Sequence, residues 1–298
     1  MRPRSAIRNF LRTTILLAAL FSAAQVPLAR QARAETTIPH GTLELVAETQ
    51  WISPGRNFDV GLRFQLEKDW HIYWMNPGDS GEPPSINWRL PSALTASPIE
   101  WPAPQRLSSG TVADFGYEES VLLVVPMFAE ANLSSQQPAS IVADVKLLVC
   151  SHEMCIPGKA QLELTLPVKS KPPEPDTTTA DLFSRTRQAW PHPFPLSWNI
   201  TVVDTKDSFV VTVKPDQSRL AHSKKEAPVT QATFFPLAES QIANAAPQKL
   251  EPVPAGFRLT LTKSDQLLTP IPRLKGLLVL SGNQAYLMDV PITQPGTK

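Results

Sequence analysis

The sequence predicts an all-β protein built from two β-sandwich domains, and three observations carry that prediction. Thirty-one of its 298 residues are Pro against only 12 Gly, so long helices would be interrupted repeatedly, whereas short strands joined by Pro-rich turns tolerate this composition. Apolar residues alternate with polar ones at a period of two over several stretches. Turn residues separate these stretches at the spacing of a sandwich. With 42% hydrophobic and 18% charged residues, the chain has enough apolar material for a core and too little charge for wholesale disorder.

The first element is a leader. Arg2, Arg4, Arg8 and Arg12 precede an apolar run from Thr13 to Ala24, and Ala32-Arg33-Ala34 precedes Glu35. This is the pattern of a secretory signal peptide spanning residues 1–34, with cleavage after Ala34. The apolar run falls short of the roughly 20 residues needed to span a bilayer, and no later segment is long enough, so no membrane span is expected in the mature chain. The first 34 residues hold six Arg and no acid, which leaves 22 basic against 27 acidic residues, a formal charge of −5. That mildly acidic balance lacks the basic footprint of nucleic-acid binding. An oxidising compartment, most simply the bacterial periplasm, is expected, and there two cysteines can form a disulfide.

Strands come next. Leu43, Leu45 and Ala47 fall on one face, and after Ser53-Pro54-Gly55 so do Phe58, Val60, Leu62, Phe64 and Leu66. Further strands are expected at 72–74, 86–90, 121–128, 141–149 and 161–168, which makes residues 35–169 one domain. Residues 170–180 (SKPPEPDTTTA) are polar, Pro-rich and without apolar periodicity, and read as a semi-stiff linker. A short helix capped by Asp181 is expected over 181–187, ending before Pro191 and Pro193. Strands at 198–203, 209–213, 232–235, 257–261, 277–280 and 285–290 then make residues 181–298 a second β domain without cysteine.

Cys150 and Cys155 are the only cysteines, within Val149-Cys150-Ser151-His152-Glu153-Met154-Cys155-Ile156-Pro157. A disulfide between them closes a very short loop and constrains the unfolded chain less than a long-range bridge would. Three readings stand side by side: an exchange centre, an inert structural bridge in an adhesion or scaffold module, and a metal site. The last rests on Cys150, His152, Met154 and Cys155, two thiolates, an imidazole and a thioether that together suit Cu(I). Zinc is excluded by the lack of a second Cys or His pair. G-x-S-x-G, P-loop, G-x-G-x-x-G and H-E-x-x-H patterns are absent. The stretch Asn76-Pro77-Gly78-Asp79-Ser80-Gly81-Glu82-Pro83-Pro84 reads first as a turn, with a contribution of Asp79, Ser80 and Glu82 to the site surface as the second reading.

Trp70-His71-Ile72-Tyr73-Trp74-Met75-Asn76-Pro77-Gly78-Asp79-Ser80-Gly81, Trp101-Pro102-Ala103-Pro104, Asp114-Phe115-Gly116-Tyr117 and the Cys150–Cys155 segment together resemble the N-terminal periplasmic domain of the DsbD thiol:disulfide interchange family, in particular its ScsB-like branch. The resemblance covers about residues 40–168. It implies an immunoglobulin-like sandwich that relays electrons from a membrane-embedded DsbD- or ScsB-like donor to periplasmic thioredoxin-like proteins, with no bound cofactor. It also implies that Cys155 forms the mixed disulfide with partners and Cys150 resolves it. Phe115 and Tyr117 match the family's aromatic cap loop beside Asp114, and Tyr73 matches an aromatic position near the site. A carboxylate such as Asp114 near Cys155 would raise the thiol pKa and slow indiscriminate attack. The chain departs from the family in having four rather than five residues between its cysteines, and in carrying Ala113 where a second acid is usual. It also ends without a transmembrane core or thioredoxin-like domain, so the electron donor is expected to be a separate polypeptide.

Overall fold

Among the described residues, nineteen strands and one helix follow in chain order: β1 (Glu35–Ile38), β2 (Gly41–Ala47), β3 (Arg56–Leu66), β4 (His71–Gly78), β5 (Ser85–Arg89), β6 (Leu94–Ala96), β7 (Gln105–Ser109), β8 (Val112–Glu118), β9 (Ser120–Ala129), β10 (Ala139–Cys150), β11 (Cys155–Leu166), α1 (Ala180–Gln188), β12 (His192–Pro193), β13 (Trp198–Asp204), β14 (Ser208–Pro215), β15 (Ala232–Pro236), β16 (Lys249–Val253), β17 (Gly256–Thr262), β18 (Arg273–Leu280) and β19 (Gln284–Thr293). This computed structural model describes residues 35–215, 229–282 and 284–294. The expected signal peptide and its cleavage point after Ala34 lie outside the described residues. No helix among the described residues is long and apolar enough to cross a membrane.

The strands form three sheets. A five-stranded sheet runs β1-β2-β3-β9-β6, and a six-stranded sheet runs β11-β10-β4-β8-β7 with β5 also paired to β10. These two enclose a common core, because the period-two alternation turns Leu43, Leu45, Val60, Leu62 and Phe64 from one sheet toward Ile72, Trp74, Ile141, Val145 and Leu164 from the other. The third sheet has eight strands, β15-β18-β19-β13-β14-β17-β16 with β12 beside β19. Val202, Phe209, Val211, Leu259, Leu274 and Leu278 anchor its own core. The architecture is all-β, as the Pro-rich, alternating sequence predicts.

Two details differ from expectation. Residues 170–180 lie against the first sandwich: the Trp51 indole and the Ser53 hydroxyl donate to the carbonyl of Lys171, and the Gln50 amide donates to Glu174. The helix runs from Ala180 to Gln188, with Thr179 rather than Asp181 as N-cap, two residues earlier than its sequence suggests. Asp181 sits in the first turn, where its charge suits the helix dipole, and pairs with Arg185 at 3.1 Å. Phe183 fixes where the helix goes, for it is fully buried against Val46, Leu122 and Val124 on the outer face of the five-stranded sheet.

Candidate functional site

The two cysteines sit at the tip of the longest hairpin. β10 and β11 pair without interruption from Ala139↔Leu166 to Cys150↔Cys155. Since Ile141, Ala143, Val145 and Val149 point into the core, alternation turns Cys150 to the opposite, outer face of the sheet. The four-residue loop between the cysteines is closed by the Ser151 amide donating to the Met154 carbonyl at 2.8 Å. The Ser151 hydroxyl accepts from the amides of Glu153 and Met154, a local turn device of serine. Cys150 and Cys155 are joined as a disulfide, yet their surroundings differ. Cys150 is 1% exposed, whereas Cys155 is open to solvent.

β4 and β8 supply the neighbours. Along β4, Ile72 and Trp74 enter the core, so His71, Tyr73 and Met75 share the outer face with the sulfurs. The Tyr73 hydroxyl donates to Cys155 Sγ at 3.7 Å, a long contact of the kind sulfur accepts. Beyond β4 the chain folds back over Tyr73. Gly81 has φ +83°, and a Cβ there would fall 2.0 Å from the tyrosine ring, so only glycine lets the backbone lie on the ring. The preceding residue holds Asp114: the Ser80 amide and hydroxyl donate to its carboxylate at 3.0 and 2.9 Å. A cleft of about 330 Å³ results, lined by His71, Tyr73, Ser80, Leu107, Val112, Asp114 and residues 151–155.

Burial sets the electrostatics of this cleft. It pushes the Asp114 carboxyl up from the usual range, with Asp79 adding to the effect and the hydrogen bonds from Ser80 and the nearby His152 opposing it. It also raises the Tyr73 hydroxyl, which therefore stays protonated and able to donate. His71 is held down at about 4 by burial and then by His152, so its imidazole is neutral at physiological pH.

The structure thus brings Tyr73, Asp114, His152, Met154 and Cys155 to one cleft with Cys150 behind it. It does not bring Phe115 and Tyr117 there, and the expected aromatic cap loop is instead strand β8. Phe115 is fully buried and meets Phe235 edge to face at 5.0 Å. Tyr117 is buried in the same core, its hydroxyl donating to the Pro102 carbonyl at 2.7 Å. The reason is alternation: Asp114 and Phe115 are adjacent in a strand, so when one faces the sulfurs the other cannot. His152 and Met154 are exposed on the loop, and among the described residues no three His, Cys, Asp or Glu side chains gather as a metal site.

Sequence reasoning assigns no role to His71 and gives Ser80 a place at the site only as its second reading. Ser80 was read as part of a turn, which it is, but that turn also clamps Asp114. His71 was passed over as one letter of a motif. It stands directly opposite Cys150 in the β4–β10 pairing, and its place in a Trp-His-Ile-Tyr-Trp run of period two, with Tyr73 two residues on, was the available signal.

The eight-stranded sheet reaches this region from behind. Phe235 of β15 packs on both Trp74 and Phe115. The Asn76 amide donates to the Pro236 carbonyl at 2.8 Å. Asn244 donates to Asp79 Oδ1 at 2.9 Å while its carbonyl accepts from Arg106, and Asp79 Oδ2 accepts from the Ala113 amide. The turn that clamps Asp114 is therefore itself tied to the third sheet.

Residues 42–167 match the family model described as thiol:disulfide interchange protein DsbD, N-terminal. Among solved structures, the chain is similar to the N-terminal periplasmic domain of ScsB from Proteus mirabilis, with a TM-score of 0.65 and 16% identity over 88% of this chain and 98% of that one. A protein of unknown function from Porphyromonas gingivalis W83 aligns over 85% of this chain and 98% of its own at 12% identity, with a TM-score of 0.22 that carries no argument. No curated protein sequence matches. Over residues 42–167 the chain is thus similar to the N-terminal domain of DsbD, with the β-sandwich fold of the ScsB domain and its two cysteines joined as a disulfide at the tip of its longest hairpin.

Proposed function

We propose that this protein is a periplasmic thiol:disulfide interchange protein, in which the Cys150–Cys155 pair relays electrons from a membrane-embedded DsbD- or ScsB-like donor to thioredoxin-like proteins. The observation that carries this reading is the asymmetry of the disulfide: Cys155 is open to solvent at the mouth of a cleft, and Cys150 is buried behind it. Exchange requires one sulfur that a partner can reach and a second that closes on the first once the partner is bound. A purely structural bridge has no need of that difference. The reduced Cys155 thiolate attacks a partner disulfide, a mixed disulfide forms, and Cys150 resolves it, releasing reduced partner and restoring the intramolecular bond.

Asp114 and Tyr73 modulate this exchange. A carboxylate beside Cys155 disfavours its thiolate and so slows reaction with small oxidants, while Tyr73 orients the outer sulfur. In this reading residues 35–169 are the redox module and 181–298 its companion, with the helix packed back onto the module.

Trapping tests the reading. Cys150→Ser leaves Cys155 without its resolving partner, so mixed disulfides with periplasmic thioredoxin-like proteins accumulate, and Cys155→Ser accumulates none. A Cys150→Ser protein that is alkylated readily at Cys155 yet captures no such partner overturns the proposal. So does a reduction potential of the native pair well below the glutathione range, roughly under −300 mV, where structural disulfides lie.

A further inference from the structure

One row of side chains crosses the six-stranded sheet. β8 sets Glu118 opposite His71, β4 sets His71 opposite Cys150, and β10 sets Cys150 opposite Cys155. Directly opposed residues share a face, with Cβ atoms about 5 Å apart, so the imidazole stands beside the inner sulfur. His71 is only 5% exposed, and its Nε2 is buried without a hydrogen-bond partner. An unpaired buried nitrogen is costly, and an apolar side chain would fill the position without that cost. The ring is held upright by an edge-to-face contact with Tyr73 at 5.1 Å.

We propose that His71 is the proton acceptor for Cys150 when the protein resolves its mixed disulfide. This rests on the exchange reading above and assigns it a residue. Cys150 is 1% exposed, and on the same row the His71 Nε2, which has no hydrogen-bond partner, carries a lone pair in the tautomer protonated at Nδ1. The Cys150 proton passes to Nε2, and the freed electron pair on Cys150 Sγ attacks Cys155 Sγ. The bond from Cys155 to the partner sulfur breaks, its electron pair leaves with the partner as a thiolate, and the imidazolium gives its proton to that thiolate or to water. The protein's dithiol is oxidised and the partner's sulfur is reduced, with no other reactant needed.

The groups facing His71 shape its affinity for the proton. Glu118 lies opposite it on β8, Asp114 and Tyr73 share the cleft, and His152 and Glu153 come from the cysteine loop. In the disulfide form burial dominates and the ring is neutral. A thiolate forming on Cys150 is a new negative charge beside the ring, and it raises the affinity of the imidazole for a proton. The ring is thus poised to accept only while the dithiol is reacting.

The test uses the full chain, reduced, with an aromatic disulfide such as Ellman's reagent as probe. Attack by Cys155 releases the first aromatic thiolate, and resolution by Cys150 releases the second. His71→Phe and His71→Gln are expected to leave the first release unchanged and to slow the second by about 10²-fold, the lower range of general-base catalysis. Both variants should also shift the pH profile of the second release toward that of a bare thiol. Second releases in both variants with the rate and pH profile of the wild type overturn the assignment to His71. A wild-type protein that releases no second thiolate overturns the exchange reading itself, which keeps the two failures distinct.

Discussion

The two faces of the β4–β8 strand pair hold opposite kinds of residue. Inward, Ile72, Trp74, Phe115 and Tyr117 are buried in the sandwich core, where Phe235 of the third sheet joins them. Outward, His71, Tyr73 and Asp114 line the cleft with the exposed Cys155. The residues alternate one by one along the same two strands. Packing and chemistry are therefore interleaved in sequence but separated in space, and each face should respond to substitution on its own terms.

The inner face gives the largest expected effect. Phe115→Ala removes a fully buried ring that meets Phe235, and comparable truncations cost about 3–5 kcal/mol. Denaturant unfolding of the oxidised protein measures this, and the reduction potential of the folded variant should match the parent. A potential that moves with the stability would show that the two faces are coupled after all.

Acid acts next, through the outer face. The pKa of His71 is lowered from 6.5 to about 4 on folding, so the unfolded chain takes up this proton first as pH falls. The stabilising contribution is whole above pH 6.5 and is lost progressively down to pH 4, up to about 3 kcal/mol. Asp114, whose pKa is raised, has the opposite sign: its contribution is present at low pH and lost as pH rises through its folded pKa, so it offsets part of the loss. His71→Phe should flatten the stability profile between pH 6.5 and 4, and unfolding curves at several pH values check this.

Asn244→Ala should cost about 1 kcal/mol, one hydrogen bond to a carboxylate that retains its other partner, and should loosen the turn at Ser80. Hydrogen exchange at the Ser80 amide reports that directly, and full protection in the variant would contradict the tether. Tyr73→Phe has the smallest expected effect. It removes one weak contact present in the oxidised form, so the disulfide should become easier to reduce by at most about 20 mV, read by equilibration with a glutathione buffer.

This division of faces also explains what the sequence disclosed. The cysteine pair was legible because only two cysteines exist, and β3 and β10 because their alternation is long. Asp114 and Tyr73 were legible through a family resemblance. The direction of Phe115 was not, because Asp114 and Gly116 are turn-forming residues and the segment read as a loop. Yet Ala113, Phe115 and Tyr117 alternate with Asp114, Gly116 and Glu118, and read as a strand this stretch assigns the rings to the core. A one-residue shift in register reverses every side chain, so a motif alone does not say which of two neighbours faces a site. His71 was hidden for another reason: its importance comes from pairing across β10, a contact between residues 79 positions apart that local pattern does not encode.

The bond from Asn244 to Asp79 has a practical consequence for dissecting this protein. A fragment cut near residue 169 would retain both sulfurs, but it would bare an oily scar where Phe235 had rested and strip the turn over Tyr73 of its anchor. Kinetics measured on that fragment would describe a wounded centre. The eight-stranded sheet is better thought of as the anvil on which the cleft beside Cys155 is shaped.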